Sequence, residues 1–124
     1  MLLADIHARL ANTTILYFLI VSIWGWVRYF RKQGIDSTYW GMLAIAEILV
    51  VIQGLLGGYL WIVGLRPGRT IHLLYGIFVL LMIPGGYIYT RGRDERPEIM
   101  IYGMVTIVAV GLIMRAMVTG VHSL

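Results

Sequence analysis

Apolar residues crowd into four stretches of this chain, separated by short runs rich in charge, glycine and proline. A helix needs roughly 20 mostly apolar residues to cross about 30 Å of hydrocarbon. The segments 7–27, 40–64, 70–89 and 99–120 meet that requirement. The connections 28–39, 65–69 and 90–98 carry breakers such as Gly34, Pro67-Gly68 and Pro97. Links this short make sequential helices antiparallel neighbours. The pattern predicts an all-α, integral membrane, antiparallel four-helix bundle, one domain over 1–124.

Composition strengthens the reading. Of 124 residues, 60% are hydrophobic and 13% charged, with a mean hydropathy of +0.84. A water-soluble globule of this size has too little interior to hide so much apolar side chain, so the lipid bilayer is the expected solvent. The formal charge of +4 sits at the ends of the apolar stretches, where basic residues anchor helices, and we assign no nucleic-acid role. The chain has no cysteine, which excludes disulfides, thiolate metal sites, iron–sulfur clusters and covalently attached haem. Asp5, His7 and Arg9 interrupt the N-terminal segment, unlike a cleavable signal peptide, so the first helix is expected in the mature protein.

Short-loop lysines and arginines favour the cytoplasm. Arg28, Arg31, Lys32, Arg91, Arg93 and Arg96 flank one side, against Arg9, Arg66, Arg69 and Arg115 on the other. The expected topology puts both termini outside a bacterial or archaeal plasma membrane. Helix parity then sets His7, His72 and His122 at one level, whichever way the bundle points.

Two of these histidines share a context, His7-Ala-Arg-Leu-Ala11 and His72-Leu-Leu-Tyr-Gly76. Positions four apart lie on one helix face, so Ala11 and Gly76 leave room beside each imidazole for a flat macrocycle. On the first helix the face continues through Thr14, Phe18, Ser22 and Gly25. Two histidines at matched depth on non-adjacent helices suit bis-imidazole ligation of haem iron. The plain alternative is half-solvated histidines at helix ends. His122, near the C-terminus, makes a poor ligand platform. Arg9, Arg69 and Arg115 stand near the same level as partners for haem propionates, although Arg115 is equally explained by snorkelling to the interface.

The second helix holds Glu47 and Gln53 in an otherwise apolar run. Glu47 suits proton transfer, quinone binding or an interhelical hydrogen bond; Gln53 reads as helix glue. Gly54, Gly57 and Gly58 permit close approach of a helix or cofactor. Pro84-Gly85-Gly86 is expected to kink or loosen the third helix, and Trp40, Tyr59, Trp61, Tyr87 and Tyr89 fit interfacial belts.

Gln53-Gly-Leu-Leu-Gly57, the turn with Pro67, Ile71-His72-Leu-Leu-Tyr-Gly76 and His7-Ala-Arg-Leu-Ala11 resemble motifs of the haem A synthases, over about three of the four helices. The likeness corresponds to one four-helix half of a two-half family member. It implies haem b held by His7 and His72. The family's glutamate, three residues before the first ligand histidine, is replaced by Ala4, and Asp5 is off by one. The family's cysteine pair and second half are missing too. The leading expectation is a b-type haem protein passing electrons to or from a membrane protein partner, a quinone or its own homodimer. The alternatives are a half-length haem A synthase-like oxidoreductase and a cofactor-free accessory subunit of a larger complex.

Overall fold

The computed structural model describes residues 2–64 and 71–121, the last three as backbone alone. Four helices follow in order: α1 (Leu2–Phe30), α2 (Ser37–Ile62), α3 (Ile71–Thr90) and α4 (Arg96–Val121). All four are long and apolar enough to span a bilayer, so the chain is an all-α integral membrane protein. Helical structure extends a few residues beyond the apolar cores at both ends of α1 and at the starts of α2 and α4, while α2 ends at Ile62, two residues short of the apolar stretch. At α2 the Asp36 carboxylate accepts from Tyr39 N–H, satisfying an N-terminal donor that has no partner within the helix.

Around the bundle, α1 packs on α2 and α4, and α3 on α4 and more sparsely on α2, so α1 and α3 stand on one diagonal. Side chains such as Ile20, Ile45, Leu55, Leu81 and Ile88 point outward. An apolar girdle of that extent is tolerated in lipid and not in water. The core runs from Phe18 and Val21 through Tyr39, Leu43 and Ala46 to Ile99, Tyr102 and Ala109.

Small residues let the backbones approach. A Cβ on Gly103 would meet the Trp26 ring at 3.0 Å, and one on Gly25 would meet the Tyr39 hydroxyl at 2.6 Å. Ser22 Oγ donates to the Gly103 carbonyl across the α1–α4 seam at 3.0 Å. Thr14 and Thr106 return their hydroxyl protons to carbonyls four residues back in their own helices, which hydrocarbon favours since no water is there to receive them.

The α1–α2 and α3–α4 loops meet at one end and lock. Ile35 N–H donates to Asp94 carbonyl at 2.7 Å, and Arg96 Nε donates to Tyr29 carbonyl while its guanidinium lies 4.1 Å from the Tyr29 ring centre. Arg28 binds the Gly34 carbonyl and the Asp36 carboxylate. Helix α3 runs unbroken through Pro84, whose missing N–H leaves the Leu80 carbonyl without its helical donor.

The Gly103 seam is testable. Gly103→Val should lower stability by about 1–3 kcal/mol through overpacking against Trp26, whereas Gly41→Ala, which meets nothing within 4 Å, should be near neutral. Unfolding of the purified protein in mixed micelles by an ionic detergent measures both.

Candidate functional site: a histidine pair across the bundle

At the end away from the locked loops, the diagonal helices α1 and α3 send His7 and His72 toward each other. Their ring centres are 6.3 Å apart and their planes cross at 71°. Helix rise of about 1.5 Å per residue puts His7 about 30 Å from Arg28, one hydrocarbon thickness away. Both rings are half-buried. The pair therefore sits at the bundle's mouth, between interior and interface.

Each histidine is held by its neighbours. His72 Nδ1 lies 2.6 Å from the Ala116 carbonyl on α4. A carbonyl only accepts, so Nδ1 carries a proton, and in the neutral ring the lone pair is then on Nε2. A carbonyl bonded to one ring nitrogen in this way fixes the tautomer and orientation of the imidazole. On α2, Gln53 Nε2 donates to the His7 carbonyl at 2.6 Å, pinning the backbone that carries the ring. Gly57, one turn on, faces the His7 Cε1 edge so closely that an added Cβ would lie 3.1 Å from it. His7 Nδ1 and Gln53 Oε1 are buried and have no hydrogen-bond partner among the described residues. Two orphaned polar atoms beside one imidazole are expensive in an apolar setting.

Space exists beside the pair. On α3 the stripe His72, Gly76, Val79, Ile83, Gly86 and Thr90 faces inward, and its last four members are buried. Gly76 shares their face, yet it is exposed and a Cβ there would meet nothing within 4 Å. On α1 the corresponding stripe, Ala11, Thr14, Phe18, Ser22 and Gly25, is buried throughout. The small positions one turn from each histidine thus differ: Ala11 is packed and Gly76 is open.

Arg115 immediately precedes Ala116 and is exposed, with a partner of its own. Arg9 is exposed too, two residues from His7 and so on another side of α1. Arg66, Arg69, the Pro67 turn and His122 lie outside the described residues. Among those described, no group of three or more His, Cys, Asp or Glu gathers as a metal site. Glu47 is remote from the histidines, on α2 nearer the locked loops, and its Oε1 is buried without a hydrogen-bond partner among the described residues.

Sequence reasoning placed the histidines at one level but did not find Gly57 as a wall for His7 or Ala116 as the anchor of His72. Gly57 was legible in part, since it falls one turn after Gln53. A backbone carbonyl leaves no mark on the sequence. Comparison with protein-family models, with curated proteins and with solved structures finds no match to this chain.

Replacing Gly57 with Val forces a branched side chain into the His7 ring. It should cost about 1–3 kcal/mol in the same detergent-unfolding assay, against a near-neutral Gly58→Ala, a position with nothing within 4 Å.

Proposed function

We propose that this protein is a membrane-bound b-type haem protein that transfers electrons, with His7 and His72 as the two axial ligands. The observation that carries the reading is the spacing of the rings. An imidazole nitrogen lies about 2.0–2.1 Å from a first-row metal and roughly 1.1 Å from its own ring centre, so two rings on opposite sides of one metal have centres a little over 6 Å apart. The observed 6.3 Å suits that arrangement, and a crossing angle of 71° is compatible with ligands bound from opposite faces. The Ala116 carbonyl leaves His72 Nε2 free to ligate, and the open space at Gly76 is where a flat macrocycle has room.

The haem, when bound, supplies one-electron redox chemistry. The chain's own residues set the conditions. His7 and His72 would hold the iron, with Ala116 and Gln53 orienting them. Arg115 would supply positive charge at this level for the propionates, while Arg9 stands at the same level on another side of α1. The resemblance to one half of a haem A synthase supports the same ligand pair. By the positive-inside rule the loops with Arg28, Arg31, Lys32, Arg91, Arg93 and Arg96 are cytoplasmic, so the histidines lie toward the outer face of a bacterial or archaeal plasma membrane.

Purified from haem-replete membranes, the wild-type protein should give the reduced-minus-oxidised spectrum of a low-spin b-type haem. His7→Ala and His72→Ala should each abolish the low-spin signature, and the double variant should carry no haem. Survival of the band in the double variant overturns the assignment.

Topology is checked separately because the native chain has no cysteine. A membrane-impermeant maleimide should label Asp5→Cys on intact cells and Gln33→Cys only after permeabilisation; the reverse pattern inverts the orientation.

A further inference from the structure

Between α2 and α3, on the half of the bundle nearer the locked loops, a cleft of about 210 Å³ remains. Trp40, Ala44 and Glu47 line it from α2, Pro84 and Tyr87 from α3, and Tyr102 closes its back. Trp40 sits edge-on to both Tyr87 and Tyr102, with ring centres 5.8 and 5.6 Å away. The lining is almost wholly apolar. Its exception is the Glu47 carboxyl, whose Oε1 is buried and finds no hydrogen-bond partner among the described residues.

We infer that this cleft is a binding site for the ring of a lipid-dissolved quinone or quinol, with the Glu47 carboxyl hydrogen-bonded to a ring oxygen. The argument is one of elimination by chemistry. A carboxyl in hydrocarbon needs a partner, and about ten residues of helix, some 15 Å, separate Glu47 from the start of α2, so bulk water is distant. A trapped water needs two to four polar partners. The cleft offers few, since its lining is almost wholly apolar and the Tyr102 hydroxyl already bonds Thr90 Oγ1. An acyl chain fills space but satisfies no carboxyl, and a phospholipid head group carries charge that these walls do not compensate.

What remains must dissolve in the bilayer, be flat enough for aromatic walls, and present an oxygen at its edge. A dry cavity of about 150 Å³ accepts a benzene, so the cleft suits one substituted six-membered ring. Entry from the bilayer is open, since the neighbouring Ile48, Leu81 and Ile88 face outward. Glu47, as a carboxylic acid, donates to a quinone carbonyl; as a carboxylate, it accepts from a quinol hydroxyl. The inference concerns binding alone and holds with or without haem at the histidines.

A photoreactive, short-tailed benzoquinone in phospholipid nanodiscs tests it. On the wild-type chain, labelling should map to 40–47 and 83–87 and be competed by unlabelled quinone. Ala44→Trp, which fills the cleft, and Glu47→Leu, which removes the carboxyl, should each cut that labelling about fivefold or more, the weight of one hydrogen bond of about 1 kcal/mol. Glu47→Gln keeps a donor and should stay within roughly twofold of wild type. Labelling spread over the lipid-facing surface, or insensitive to competitor, reveals partitioning into lipid and overturns the proposal, as does full labelling of Ala44→Trp. The wild-type map and its competition decide even where a variant does not fold. The haem spectrum of Glu47→Leu should be that of wild type, so failure here is distinguishable from failure of the haem assignment.

Discussion

In hydrocarbon a polar group must find its partner inside the protein, and that requirement orders this molecule. Most buried polar side chains comply at close range. Thr14 and Thr106 bond back to their own helices, Ser22 reaches Gly103, and Tyr17 donates to the Met42 carbonyl. These bonds join neighbours and do nothing further. Four buried atoms find no partner among the described residues: His7 Nδ1, Gln53 Oε1, Glu47 Oε1 and the Tyr39 hydroxyl. The Tyr39 hydroxyl lies against Gly25 in a tight helix contact, so packing accounts for its position. The other three fall in two places, the histidine pair and the Glu47 cleft.

The two ends of the bundle differ for the same reason. At the loop end, charged residues stand where water and backbone carbonyls are available, so Arg28, Arg96 and Asp36 knit α1, α2 and α4 together. Gly34 is needed there because a Cβ would collide with the Asp94 carbonyl. At the other end, no comparable ion pairs are seen among the described residues, and the helices are joined through His7, Gln53, His72 and Ala116. The two imidazoles at this end face one another across the bundle.

Much of this was legible in the sequence. Span number, antiparallel order and the common level of His7 and His72 follow from hydrophobic length and helix parity, which hydrocarbon enforces strictly. The inward stripe of α1, from His7 through Ala11, Thr14, Phe18, Ser22 and Gly25, follows from the helical repeat. What the sequence could not convey is how helices rotate against one another. Hydrophobicity is nearly uniform around each span, so periodicity does not tell the lipid side from the core side. That is why Gly57 against His7, the Ala116 carbonyl on His72 and the cleft beside Glu47 emerged only from packing. The same uniformity hid the contrast between packed Ala11 and open Gly76, two small residues in equivalent sequence positions.

The residues around the histidines also bear on which of the haem readings proposed above is favoured. Oxidising a haem methyl group, as the resemblance to haem A synthases would imply, calls for the acidic side chain that the family carries three residues before its first ligand histidine. Here that position is Ala4, half-buried, while Asp5 is exposed on another side of α1. Nor does any other carboxylate described here stand near the pair: Glu47 lies about ten residues along α2 from Gly57, some 15 Å away by helix rise, and Glu95 and Glu98 belong to the opposite end of the bundle. Electron transfer makes smaller demands. It requires two imidazoles held at a fixed separation with a ring nitrogen of each turned to the metal. His7 and His72 face each other with ring centres 6.3 Å apart, held by Gln53 and Ala116, which is why we favour a carrier of electrons over a half-length synthase.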